Sequence, residues 1–96
     1  MYVRTALIRV PAHRKEECRR VYGEVVLPGI RAYPGNVFAH CLEPVVPGDP
    51  WLVITAWVDL AASDAYGASS MRDSFVAKVK SLLEGETMYR QYQSID

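Results

Sequence analysis

Apolar residues along this chain recur at two different spacings, and the switches between them mark out the elements. Residues 2–10 (YVRTALIRV) are rich in Tyr, Val, Thr and Ile and read as a strand that Pro11 ends. From Arg14 to about Ile30 the apolar positions fall at Cys18, Val21, Tyr22, Val25 and Ile30 with charges between them, which is the spacing of one helix face. Pro28-Gly29 is expected to fray that helix, and the YPGN after it is a turn. Val37 to Glu43 reads as a second strand, and EPVVPGDP, with three prolines and a glycine, as a loop. Trp51 to Asp59 is a third strand, the most apolar on both faces, and therefore central.

Asp59 is a plausible N-cap for a short helix over LAASDAYG. Ser70 and Asp73 form a capping pattern that restarts a helix, whose face is Met71, Phe75, Val79, Leu82 and Leu83 and which Gly85 stops. Thr87 to Ile95 closes the chain as a strand. The order is β-α-β-β-α-β, the ferredoxin-like pattern of the α+β class: one domain over residues 1–96, a four-stranded antiparallel sheet and both helices on one face. The third strand carries Leu52, Ile54, Ala56 and Val58 in one register and Trp51, Val53 and Trp57 in the other. A sheet apolar on both faces must be covered on both, and the simplest cover is the same face of a second copy, giving a homodimer through sheet faces.

Composition narrows the function. The chain has no net charge, yet residues 1–48 hold seven Lys/Arg against four acids and residues 49–96 four against seven. One basic helix in a neutral chain is too small a footprint for a nucleic-acid binder. The segment HRKEECRR reads as a solvated helix face and allows a Glu16–Arg20 pair. WLVITAWV is far too short to span a bilayer. Two cysteines, Cys18 and Cys41, on apolar faces and no leader pattern at the N-terminus point to core thiols in the reducing cytoplasm. No metal set is visible, because neighbours His40 and Cys41 point to opposite faces of a strand. There is no phosphate-binding glycine loop, no nucleophile elbow, and no RNA-binding aromatic motif on the third strand.

YPGNVFAH, then DPWLVITAW, then VDLAASDAYGASSMRDSF resembles the antibiotic biosynthesis monooxygenase family of the dimeric α+β barrel superfamily: a Pro-Gly before the second strand, a third strand ending in Trp, then a polar turn and a helix. The resemblance implies a homodimer with a pocket between each sheet and its helices. It also implies oxygenation without a cofactor: a phenolic, quinol or polyketide-like aromatic is deprotonated and its electron-rich anion meets dioxygen in a dry apolar cavity. Where many members have His or Trp nine residues after the strand-end Trp, this chain has Tyr66. The haem-degrading relatives use a first-strand Asn, that Trp and a helical His; here those regions offer Thr5 or a neighbour, Tyr66, and Phe75-Val76. No histidine follows His40, which argues against haem degradation by that arrangement.

The candidate catalytic residues are therefore His40, as general base if it faces the pocket, and Tyr66, as hydrogen-bond donor to the oxyanion. Trp57 is pocket wall as well as core, and Arg4, Thr5, Arg72 and Arg90 are candidates for the substrate-binding set. The decision between His40 and Cys41 rests on register, since a slip of one residue exchanges them. A non-catalytic small-molecule-binding or interaction dimer of the same fold is the alternative, and an isomerase or decarboxylase of the superfamily stays open.

Overall fold

β1 (Tyr2–Arg9) lies at the middle of a four-stranded antiparallel sheet of order β2-β3-β1-β4, with β2 (Asn36–Leu42), β3 (Trp51–Trp57) and β4 (Glu84–Gln93). The computed structural model describes all of residues 1–96. Between β1 and β2 runs a helical stretch made of α1 (Lys15–Val21), a π-helical turn (Tyr22–Val26) and α2 (Leu27–Arg31); α3 (Leu60–Gly67) and α4 (Ser70–Val79) lie between β3 and β4. This is the expected ferredoxin-like α+β arrangement, with β3 central. The first and last strands are antiparallel neighbours, as this topology requires.

The local differences from the sequence reading have physical causes. The first helical stretch does not fray at Pro28 but continues to Arg31. Proline lacks an N–H and crowds the carbonyl four residues back, here Glu24, and that residue sits inside the π turn, where the helix is already widened. The cap of α4 is Ser69, whose side chain accepts from Arg72 N, and not Ser70. Asp59 caps α3 as expected, accepting from Ala62 N at 2.8 Å. Gly85 does not end a helix. It lies inside β4 at φ +67°, beside an irregularity in the β1–β4 register between Leu7 and Arg9, where a left-handed backbone is needed. β3 stops at Trp57, two residues early, because Asp59 is already committed to capping. On α1, Glu16 pairs with Arg19, not Arg20, and Arg19 also clasps Glu43 at the end of β2 with two contacts of 2.7 and 2.8 Å.

Alternation in the strands assigns the two faces. Toward the helices point Arg4, Ala6 and Ile8 of β1, Trp51, Val53, Thr55 and Trp57 of β3, and Ala39 and Cys41 of β2, paired in register across the sheet. Here Ile8, Ala39, Trp51 and Trp57 join Cys18, Val21, Tyr22, Val26, Leu27 and Ile30 in the core. Cys18 is fully buried and Cys41 half-buried, both as free thiols. The other face has no helix on it. It forms a grid of three cross-strand rows: Phe38–Ala56–Val3–Tyr92, His40–Ile54–Thr5–Arg90 and Leu42–Leu52–Leu7–Met88. No helix is long and apolar enough to cross a membrane.

Candidate functional site

A cavity of about 320 Å³ lies between the helix-facing side of the sheet and the helices, at the low end of the range for small-molecule sites. Its body is apolar: Ala6, Ile8 and Val53 from the sheet, Val26 and Ile30 from the first helical stretch, Phe75, Val76 and Val79 from α4, and Leu83. Its polar wall is Arg4, Thr55, Tyr66, Arg72, Thr87 and Gln91, with Tyr22 and Tyr89 beside them. No imidazole, thiol or carboxylate lines it.

The polar end is built by α3. This helix begins directly after β3, so its face passes back over the end of the sheet and sets Ser63, Tyr66 and Gly67 above Arg4. Arg4 Nη1 donates to the carbonyl and to the Oγ of fully buried Ser63, each at 3.3 Å. The ion pairs of the chain, Arg14–Glu17, Arg19–Glu16 and Arg19–Glu43, are all elsewhere, so neither Arg4 nor Arg72 is neutralised by a carboxylate in contact. Burial and, next, the charge of Arg72 pull the Arg4 guanidinium below its usual pKa, against the smaller opposing effects of Tyr66 and Asp64. Arg72 is held from its other side by the face of Tyr89, 5.3 Å from the ring centre.

Tyr66 stands where these charges meet. Its ring is buried and stacks on Trp57 at 4.8 Å and 21°, and Tyr33 packs edge-on against both rings at 5.5 and 6.0 Å. Its backbone carbonyl accepts from Ser69 Oγ at 2.6 Å, while its hydroxyl makes no bond within the chain and is not sealed from the cavity. Burial raises the phenol to about pKa 12, against the opposing charges of Arg72 and Arg4. The hydroxyl is therefore a proton donor throughout the neutral range.

The structure thus brings together Tyr66, Arg4 and Arg72 of the expected set. Trp57 stands behind them: it is fully buried, lines none of the cavity, and donates from Nε1 to Thr55 Oγ1 at 3.0 Å, fixing a hydroxyl that does line it. Thr5 and Arg90 border the cavity through their strands, but alternation sends their side chains to the uncovered face, where they pair with each other. His40 is the chief correction. It is exposed on that same uncovered face, stacked on Phe38 at 5.5 Å, and Cys41 takes the inward position. β2 starts at Asn36, whose side-chain amide donates to the carbonyls of Phe38 and Ala56 across a register irregularity between Asn36 and Phe38, after which His40 pairs with Ile54 and points outward. Sequence reasoning missed Tyr22, Tyr89, Thr55, Ser63 and Gly67. The alternation Arg4, Ala6, Ile8, once tied to Thr55 and Val53 across the sheet, was the signal for the first wall.

A family model for antibiotic biosynthesis monooxygenase matches residues 1–86. No curated protein matches the sequence. Among solved structures, a candidate antibiotic biosynthesis monooxygenase from Deinococcus radiodurans superposes with a TM-score of 0.87 at 14% identity, covering 100% of this chain and 94% of that one. One from Nitrosomonas europaea gives 0.82 at 14%, covering 100% of both. The haem-degrading protein MhuD of Mycobacterium tuberculosis, solved with two haems in its active site, gives 0.76 at 18%, covering 99% and 96%. Identities this low establish the fold, which these proteins share over their whole length. The match over residues 1–86 establishes more: the chain belongs to the antibiotic biosynthesis monooxygenase family.

Proposed function

We propose that the protein is a cofactor-independent monooxygenase of a small phenolic, quinol or polyketide-like aromatic, working as a homodimer. The observation that carries this reading is the convergence of Arg4, Arg72 and the free Tyr66 hydroxyl on one end of an otherwise apolar cavity. A flat aromatic fills the apolar body, and its oxygen meets the polar end. Two cations with no carboxylate in contact favour the ionised form of a bound phenol, lowering its pKa as they would that of any acid beside them. No protein base is needed in the cavity: the proton passes to water, and Arg4, Arg72 and Tyr66 hold the anion.

The electron-rich carbon of that anion then reacts with dioxygen. In a naphthol or hydroquinone a ring C–H becomes C–O and the ring is oxidised to the quinone level, so that one oxygen atom of dioxygen stays on carbon and the other leaves as water. The ring as a whole supplies all four electrons, so no external reductant enters. The apolar wall keeps bulk water from the reactive intermediate. The cavity offers a haem iron no imidazole or thiolate. In the homodimer the uncovered grid of the sheet packs against its copy, with His40, Thr5 and Arg90 inside that interface.

Dioxygen consumption with a panel of hydroquinones and naphthols tests the activity. The expected result is uptake above spontaneous autoxidation that falls about a hundredfold in Arg72→Met. Uptake at background, with tyrosine and tryptophan fluorescence unmoved by any member of the panel, would sink the proposal. The lack of any carboxylate, imidazole or thiol on the cavity wall favours one second reading, non-catalytic binding of the same anions. Fluorescence changes without dioxygen uptake would assign that role instead.

A further inference from the structure

Gly67 is the last residue of α3 and does not adopt the left-handed backbone that only glycine tolerates well. Its lack of a side chain answers to something else. A Cβ built there would lie 2.8 and 2.9 Å from the two terminal nitrogens of Arg4 and 3.0 Å from the guanidinium carbon. One turn earlier on the same helix face is Ser63, 0% exposed, which accepts from Arg4 through both its carbonyl and its hydroxyl. A serine that gives both oxygens to one guanidinium, and a glycine whose bare Cα lies against that same group, form a fitted seat. The seat contains no carboxylate. It locates the arginine without neutralising it, and leaves its charge directed at the cavity.

We propose that Ser63 and Gly67 are positioning residues: together they seat Arg4 at the cavity's end, and this seat makes the cavity prefer an anionic aromatic to its neutral counterpart. This rests on the reading of the cavity given above and adds to it the class of ligand selected and the residues that select it. The atoms that a Gly67 side chain would meet are the far end of a flexible chain. A methyl group there therefore displaces Arg4 and leaves the fold intact. Alanine also favours a helix more than glycine does, so stability is held or raised while selectivity is lost.

The test is a double-mutant cycle read by ligand binding, with naphthoate and neutral naphthamide as probes. Wild type is expected to bind naphthoate at least about tenfold more tightly than naphthamide, the effect of a charge-assisted contact. Gly67→Ala and Ser63→Ala should each erase most of that preference with naphthamide binding unchanged, and Gly67→Ala should melt no earlier than wild type. In an Arg4→Met background, Gly67→Ala should have no further effect, because the seat then holds nothing. An equal loss from Gly67→Ala in both backgrounds would overturn the seat while leaving the proposed oxygenase standing. Preference for naphthoate, lost through Arg4, in a protein that consumes no dioxygen would keep the seat and remove the oxygenase. A wild type that does not distinguish the two probes overturns the proposal.

Discussion

Tyr66 answers to two demands at once. Its ring completes the stack with Trp57 and Tyr33, and its hydroxyl is left unbonded at the cationic end of the cavity. The two functions are separable. Tyr66→Phe keeps the ring and removes a hydroxyl with no partner in the chain, so stability should change by less than about 1 kcal/mol while turnover falls about a hundredfold. Urea unfolding and initial rates measure the two effects. Trp57→Ala should do the reverse of a site mutation, costing about 3–5 kcal/mol of a total of about twice that for a domain of this size. It should abolish cooperative unfolding or come close to it. Both aromatics are visible in the sequence, but their roles are not. Which one reaches the cavity depends on α3 folding back over β3, a tertiary fact. His40 shows the same thing more sharply, since the one-residue parity that turns it outward follows a register shift between Asn36 and Phe38 at the start of β2.

Buried acids of ordinarily high pKa also give a prediction at this scale. Burial pushes Cys18 from 9.0 to about 11 and Cys41 from 9.0 to about 12, and pushes Tyr66 from 10.0 to about 12; Tyr22 is raised as well. Each group holds its proton more tightly folded than unfolded. Their contribution to stability is therefore complete below pH 9 and lost as pH rises through the folded values. Unfolding free energy measured by denaturant should fall steadily from about pH 9 to pH 12. A flat profile across that window would contradict the burial of these four groups.

At the scale of elements, the join between α3 and α4 matters most. Ser69 Oγ donates to the Tyr66 carbonyl at 2.6 Å and accepts from Arg72 N at 3.1 Å, so one hydroxyl ties together the backbones of two cavity residues. Ser69→Ala should cost about 1 kcal/mol as a lost cap. It should also weaken binding of an anionic aromatic, which loss of a cap remote from the site would not do. Calorimetry and a ligand titration check the two. The periodicity of α4 is plain in the sequence, but its exact start is not: two adjacent serines compete for the cap, and only the approach of α3 decides between them. The first helical stretch passes Pro28 for a reason of the same kind. A π turn is a local compromise with packing, and spacing alone does not announce it.

For the whole molecule, the uncovered sheet face is the prominent feature. Leu42, Met88 and Tyr92 stand exposed at its margins, with half-buried Ile54 at its centre. The element order and the two apolar registers of β3 made this face legible from sequence, because they depend only on alternation. Light scattering should give twice the 10.8 kDa chain mass, and Ile54→Asp should give the single mass by placing an unpaired charge at the centre of the interface. A wild type of single-chain mass at micromolar concentration would remove the homodimer.

The central claim is that a bound aromatic anion takes an oxygen atom directly from dioxygen at the end of the cavity marked by Arg4, Arg72 and Tyr66. Mass spectrometry of the product formed by purified protein under isotopically heavy dioxygen, with a naphthol or hydroquinone that gives uptake, tests it most directly. One heavy oxygen atom per product molecule is expected, at a rate reduced in Arg72→Met and Tyr66→Phe. Product carrying oxygen from water alone, or formed equally fast by those two variants, would contradict it.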